Sequence, residues 1–257
     1  MIKKKRLNFA FAENHYKMKY LLTLILAGVP FFNSSKAQEI HGNPNVWLFN
    51  LTEIKINDQW QFGNEFHFRY DEYVKTSQQF LFRPYIDYGF SDKLVGSFGY
   101  TYILTKPYGD YPLPTDKPEH NIWEQITVKN TLGEWNLAHR FRLENRWSGN
   151  IVTNTTTGEN EIDGYNFSNR FRYRLTLKRN IGTSFYTHIF DELWIREKNK
   201  VKSIAFDRNW IYAGLGWKMT PIFSVELAYL HQYVQNNPDL FERHHSIQGT
   251  LKIELNK

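Results

Sequence analysis

Residues 135–147 read WNLAHRFRLENRW, and residues 167–178 read FSNRFRYRLTLK. In both stretches apolar and polar side chains alternate, with aromatic or aliphatic residues on one set of positions and mainly arginine on the other. Successive side chains of a β-strand point to opposite faces, so an alternation with period two predicts a strand with one apolar and one charged face. The two stretches therefore predict a pair of neighbouring strands with strongly unlike faces.

The same alternation recurs along the rest of the chain and predicts an all-β protein without amphipathic helices. Eleven segments show it, at about residues 45–56, 60–74, 78–90, 94–106, 121–132, 135–148, 164–179, 182–197, 204–219, 222–235 and 243–255. Tight turns such as Asn57-Asp58 and Gly133-Glu134 separate some of these segments, while longer polar connections near 107–120 and 149–163 separate others. Short turns that alternate with long loops are typical of outer-membrane β-barrels.

A soluble barrel or sandwich would show the same alternation, so the direction of the apolar face has to be decided. A soluble barrel turns its apolar face inward, whereas a membrane barrel turns it outward. The segments are longer than the roughly 5–6 residues of ordinary sheet strands, which favours a bilayer span. Tryptophans near segment ends suit the aromatic girdles of a membrane interface: Trp47, Trp60, Trp123, Trp135, Trp147, Trp194 and Trp217.

These features predict an antiparallel up-and-down transmembrane β-barrel of 10–12 strands. Twelve strands are favoured over the eleven visible segments, because single-chain bacterial barrels have even strand numbers. A further short strand near Gln38 to Pro44 would supply the missing one.

Residues 1–37 are predicted to be an N-terminal extension followed by a cleaved signal peptide, with the barrel in residues 38–257. Lys17 and Lys19 precede an apolar run from Tyr20 to Phe32, and the small residues up to Ala37 suit a cleavage site. The start at Met1 or at Met18 is left open. Export through a signal peptide leaves the periplasm, the medium or the outer membrane as locations, and the predicted barrel favours the outer membrane of a Gram-negative cell.

The formal net charge of +6 comes entirely from residues 1–37. Without residues 1–37 the chain loses seven basic side chains and one acidic side chain, which leaves 25 of each. A nucleic-acid-binding domain would keep a basic excess, so no nucleic-acid partner is expected. The chain has no cysteine, which excludes disulfides, thiolate metal sites and cysteine nucleophiles.

The strongest constellation is a set of charged side chains on the polar face of the predicted strands. Pairing of the two opening stretches would bring six arginines and a lysine onto one interior wall, with Glu124, Glu144, Glu192 and Glu226 as candidate partners. As possible ion or ligand contacts the sequence thus nominates Arg140, Arg142, Glu144, Arg146, Arg170, Arg172, Arg174, Lys178, Glu192 and Glu226. Two interpretations stay open: a salt-bridged ladder that stiffens the barrel, or a constriction that attracts anions.

Other patterns assign no catalytic, cofactor-binding or metal-binding residue. His244, His245 and Ser246 are adjacent, but spacing alone does not place a base against a nucleophile. The remaining histidines are scattered one to a strand, without the clustering that a metal site needs. No cofactor is predicted, and enzymatic activity is not favoured.

The order of several short motifs resembles a family of Gram-negative outer-membrane barrels of unknown function. The motifs are Trp47, Phe66-His67-Phe68-Arg69-Tyr70, Phe141 to Arg146, Asn169 to Arg174, Phe190-Asp191-Glu192-Leu193, Arg208-Asn209 and Gly214-Leu215-Gly216. The resemblance covers residues 38–257 and implies location and architecture. It implies no catalytic residues.

The sequence favours a narrow, porin-like channel or small-solute uptake protein with a charged interior. The alternatives are an outer-membrane enzyme that acts on lipid or protein at the barrel rim, and a closed structural or adhesion barrel. The expected partners are outer-membrane lipid and small ions or solutes. The solute and the oligomeric state are not predicted.

Overall fold

The computed structural model describes residues 38–109, 112–198, 203–237 and 240–256. These residues form eleven β-strands: β1 Gln38–Lys55, β2 Trp60–Asp71, β3 Thr76–Ser91, β4 Leu94–Thr105, β5 Lys117–Leu132, β6 Trp135–Thr153, β7 Asn160–Ile181, β8 Phe185–Lys198, β9 Ser203–Lys218, β10 Phe223–Asn237 and β11 Leu240–Asn256. No described residue belongs to a helix long and apolar enough to cross a membrane. The predicted signal peptide lies outside the described residues.

The strands close into one barrel in which each strand pairs with its neighbours in sequence. All of these pairs are antiparallel except the closing pair, in which β1 runs parallel to β11 from Gln38↔Leu240 to Lys55↔Asn256. The barrel prediction is confirmed, but the favoured count of twelve is wrong, because the described residues form eleven strands. A parallel closing pair lets an odd number of strands complete the barrel.

The extra strand predicted near Gln38 to Pro44 is the beginning of β1. As a strand, this part of β1 pairs with β11, since the ladder between β1 and β2 begins at Val46↔Tyr70. Pro44 O also accepts a hydrogen bond from Tyr73 N, in the connection after β2, at 2.8 Å. The residues therefore belong to a strand that was already counted.

The connections meet at two rims, which we call the turn rim and the loop rim. The turn rim carries the connections 56–59, 92–93, 133–134, 182–184 and 219–222. The loop rim carries 72–75, 106–109, 112–116 and 154–159, together with the end of β8, the start of β9, the end of β10 and the start of β11. Gly133 and Gly182 have φ of 58° and 63°, a left-handed conformation that glycine adopts without strain. The predicted connection 149–163 is shorter in the structure, because β6 and β7 continue to pair up to Thr153↔Asn160.

Apolar side chains cover the outer face of the barrel, and charged side chains point into its interior. Phe141, Leu143 and Phe171 are exposed, while the intervening Arg142 and Arg172 are buried. A closed single sheet can bury a side chain only by turning it inward. The prediction of an inverted barrel is therefore confirmed.

The tryptophans divide between the two faces, so the prediction that all seven lie in interfacial girdles is wrong. Trp60 and Trp217 are exposed on the outer face, but Trp47, Trp123 and Trp194 are buried inside. Whether a tryptophan points inward or outward depends on its position in the alternation of its strand. Trp47, Trp123 and Trp194 fall on the same alternating positions as the inward-facing charged residues.

Three inward-facing glycines each lie beneath an aromatic ring from the adjacent strand. A Cβ atom at Gly63 would overlap the ring of Tyr85, one at Gly99 that of Trp123, and one at Gly216 that of Tyr186. Large rings can therefore lie flat against the inner wall of a small barrel.

Candidate functional site inside the barrel

The register of β6 and β7 places basic side chains directly opposite one another. Arg140 faces Arg174, and Arg142 faces Arg172. Like charges at such short range destabilise a sheet unless counter-charges reach them. We call Arg140, Arg142, Arg146, Arg170, Arg172, Arg174 and Lys178 the arginine cluster.

Two buried glutamates neutralise the centre of the arginine cluster. Glu192, which projects from β8, accepts hydrogen bonds from Arg172 Nε at 2.8 Å and from Arg174 Nη2 at 2.6 Å, and it also binds Arg140. Glu144 accepts from Arg170 Nε and Arg172 Nη1, each at 2.7 Å. Both carboxylates are almost inaccessible to solvent, with 0% and 1% exposure. Arg172 therefore bridges two carboxylates in a continuous ion-pair network.

The remaining members of the cluster have different surroundings. Arg146 donates two hydrogen bonds to Glu119, at 2.7 and 2.6 Å. Arg142 donates to Gln125 Oε1 at 2.9 Å, and its guanidinium lies 3.8 Å from the ring centre of Trp123. Lys178 forms no ion pair with any described residue.

Two of the glutamates named as candidate arginine partners lie elsewhere. Glu226 accepts hydrogen bonds from His188 Nδ1, at 2.9 Å, and from Tyr212 Oη, and it pairs with none of the cluster arginines. Glu124 is exposed on the outer face, because Trp123 and Gln125 on either side of it point inward.

Several interior charges on other strands were not among the site residues predicted from the sequence. Arg69 on β2 and Arg83 on β3 are buried, and Arg83 Nη1 lies 2.6 Å from Glu65 Oε2. Asp207 lies 3.5 Å from Arg170. Their inward positions in the alternation were the available signal, but none of them belongs to a run of arginines.

An apolar wall lies inside the barrel beside these charges. It is a buried cluster, which we call the aromatic wall, formed by Trp47, Phe190, Trp194, Trp210, Tyr212, Ala228 and Leu230. The ring centres of Trp47 and Trp210 are 5.4 Å apart, and those of Trp194 and Trp210 are 4.6 Å apart. The guanidinium of Arg172 lies 3.6 Å from the ring centre of Trp194, so the arginine cluster and the aromatic wall are in contact there.

A cavity of about 840 Å³ lies inside the barrel, lined by members of both the arginine cluster and the aromatic wall. Its lining extends from Asp92 and Lys93 at the turn rim to Glu119 and Arg146 towards the loop rim. Twelve of its lining residues are lysine or arginine, and five are aspartate or glutamate. Glu144 and Glu192, behind the lining, reduce this cationic excess but do not cancel it.

His244 and Ser246 lie on the inner face and do not bind each other. Ser246 is fully buried and accepts a hydrogen bond from Gln232 Nε2 at 2.8 Å, while His244 Nε2 lies 2.9 Å from Glu242 Oε2. In the part of the chain that the structure describes, no three histidine, aspartate or glutamate side chains converge as metal ligands would.

A closed barrel with an apolar outer surface and a charged interior is a transmembrane β-barrel, because soluble barrels have the opposite arrangement. Residues 44–242 match the family described as "Protein of unknown function (DUF2490)", and the chain belongs to this family. The resemblance to a barrel family of unknown function is thereby confirmed.

The chain was also compared with solved structures and with curated proteins. A solved structure titled "NanC porin structure in rhombohedral crystal form" is similar to this chain with a TM-score of 0.48 and 13% sequence identity, and the match covers 80% of this chain and 91% of that one. The curated proteins contain no match to this chain.

Proposed function

We propose that this protein is an outer-membrane barrel that forms a narrow channel or uptake path for small anionic solutes. The cationic excess among the residues that line the cavity carries the proposal. Rings of positive side chains in a confined pore raise the local concentration of anions and repel cations.

The location in the outer membrane is part of the same proposal. The outer surface exposes large apolar side chains from all around the barrel, which water would not solvate well but lipid would. The apolar segment from Tyr20 to Phe32 supports export by a signal peptide.

The proposal is tested by planar-bilayer conductance of the detergent-purified protein across a salt gradient, so that the reversal potential reports ion preference. We expect discrete conductance steps that favour anions. The double substitution Lys178→Gln with Lys129→Gln should shift the reversal potential towards zero, because both lysines line the cavity and neither forms an ion pair with a described residue. Their removal leaves the central ion pairs intact.

Arg179→Gln is the matched control, since this residue is adjacent to Lys178 on β7 but pairs with Glu134 and does not line the cavity. It should leave the reversal potential unchanged. A cation-preferring channel, or equal shifts in both variants, would overturn the proposal.

A closed structural barrel is the second candidate, and the buried ion-pair network favours it. Arg172, Glu144 and Glu192 fill the middle of the interior with almost no solvent contact. Stable insertion into bilayers without conductance would support this candidate.

A further inference from the structure

We propose that the cavity binds an organic anion that combines a carboxylate with a flat apolar ring. This inference deepens the proposed function, on which it rests, by naming the chemical class of the solute. It is argued from the contact between Arg69 and the aromatic wall, and from hydrogen-bond donors that lack partners there.

The aromatic wall supplies a surface for a ring. Trp47, Trp194 and Trp210 all line the cavity, and their indoles contact one another in edge and tilted geometries. Aromatic rings favour such edge or offset contacts with further rings. A ligand with a flat apolar body would therefore extend the existing cluster.

Arg69 supplies a positive charge beside this surface. Its guanidinium lies 3.8 Å from the ring centre of Trp47 and 5.7 Å from that of Trp210, and its Nη1 donates to Gln79 Oε1 at 2.7 Å. Arg69 is buried and forms no ion pair with any described carboxylate. Because a buried charge without a counter-charge is costly, this position favours an anion.

Unused hydrogen-bond donors point to the same ligand. Nε of Arg69 and Nε1 of both Trp194 and Trp210 are buried atoms without a hydrogen-bond partner, and all three side chains are more than nine-tenths buried. Each of these atoms can only donate. A carboxylate is acceptor-only and forms strong charge-assisted hydrogen bonds, so it matches this set.

Four of the five carboxylates that line the same cavity are already engaged, Glu53 among them through Lys252 at 2.9 Å, and the fifth, Asp92, lies at the turn rim. Glu65 binds Arg83, Glu119 binds Arg146, and Glu226 accepts from His188 and Tyr212. An organic cation would therefore compete with existing partners, whereas an anion would not. A simple inorganic anion would satisfy the donors but make no apolar contact with the indoles that line the cavity.

The test is isothermal titration calorimetry of the detergent-purified protein with three probes: benzoate, acetate and benzylammonium. Acetate keeps the carboxylate without the ring, and benzylammonium keeps the ring with the opposite charge. We expect benzoate to bind at least about tenfold more tightly than either, a factor that corresponds to about 1.4 kcal/mol. Equal binding of benzoate and benzylammonium, or of benzoate and acetate, would overturn the inference.

Variants locate the site. Arg69→Gln and Trp210→Phe should each weaken benzoate binding about tenfold, since each removes a donor and a charge or indole contact. The matched controls are Arg179→Gln and Trp217→Phe, both outside the cavity, and they should bind benzoate normally. If Trp210→Phe fails to fold, as judged by circular dichroism, Trp194→Phe serves the same purpose. Unchanged affinity in Arg69→Gln would overturn the site.

The calorimetry separates this inference from the proposed function, because it needs no conductance. Benzoate binding in a barrel that does not conduct would support the site and overturn the channel. Anion-preferring conductance without benzoate binding would support the channel and overturn this inference alone.

Discussion

Glu192 shows how a single side chain can hold an otherwise repulsive arrangement together. It accepts hydrogen bonds from Arg140, Arg172 and Arg174, which come from two strands and carry three positive charges. Bonds between charged partners are stronger than neutral ones, and an interior with little water strengthens them further. The stability of the barrel should therefore depend strongly on this one carboxylate.

We expect Glu192→Gln to lower the free energy of unfolding by about 3–5 kcal/mol, the usual cost of removing one partner from a buried ion pair. Glutamine keeps the shape of glutamate but leaves the three arginines without a counter-charge. Urea titration of the folded protein in detergent or vesicles measures the change. The control Glu159→Gln, in an exposed loop, should change it by less than about 0.5 kcal/mol.

At this scale the sequence predicted types of residue better than it predicted pairs. The alternation marks Arg140 and Glu192 as members of charged faces, but 52 positions separate them in the chain. The pair forms only because β7 lies between β6 and β8 and long side chains reach across it. Trp47 and Trp194 point inward because of their positions in the alternation of their strands. Their location near the end of a predicted segment does not reveal this.

At the scale of the element, β6 and β7 form the longest hairpin, and their sequences carry the clearest alternation. Each strand determines its own faces locally, so the strand pair could be predicted without tertiary information. The extra length near the loop rim could not be predicted, because the alternation is lost there: Ile151 and Val152 are adjacent apolar residues between polar neighbours. They pair as strands since the ladder satisfies their backbone hydrogen bonds.

The contact between β8 and β9 depends on a glycine. Gly216→Ala would place a methyl group within the volume of the Tyr186 ring, so we expect it to cost about 1–3 kcal/mol of unfolding free energy through overpacking. Thermal or urea unfolding in detergent measures this. Gly249→Ala on β11 is the matched control, because the nearest atom to its Cβ, Leu48 Cδ2, is 3.6 Å away. Equal effects of the two variants would contradict the packing argument.

At the scale of the whole molecule, the outer surface decides where the barrel is stable. Leu227 on β10 is 65% exposed, and it lies beside Leu215 of β9 in the same apolar belt. In water such a belt promotes aggregation, whereas hydrocarbon solvates it.

We expect Leu227→Arg to destabilise the vesicle-inserted barrel by about 2–4 kcal/mol, the range for a charged side chain near the bilayer midplane. The folded fraction after refolding into vesicles can be read from the shift in gel mobility between unheated and boiled samples. Thr156→Arg, which adds the same charge to an exposed loop, should fold as the original protein does. A soluble Leu227→Arg variant that folds without detergent or lipid would contradict the membrane location.

The barrel class could be predicted from the sequence because it follows from a repeated local pattern. The number of strands could not be predicted from the sequence, since it depends on how the first and last strands pair. The even-number rule led to twelve, and the parallel pairing of β1 with β11 makes eleven sufficient.

That parallel pairing also has a consequence for assembly. The strands from β2 to β11 form five hairpins, β2–β3 to β10–β11, each joined at the loop rim. β1 belongs to none of these hairpins, and its first described residue, Gln38, lies at the same rim. With the turn rim in the periplasm, as in bacterial barrels, every other strand crosses the bilayer as half of a hairpin. On the proposed outer-membrane location, β1 begins at the cell surface with Gln38, while β11 ends on the periplasmic side at Asn256. The two ends of the barrel domain would then belong to different compartments.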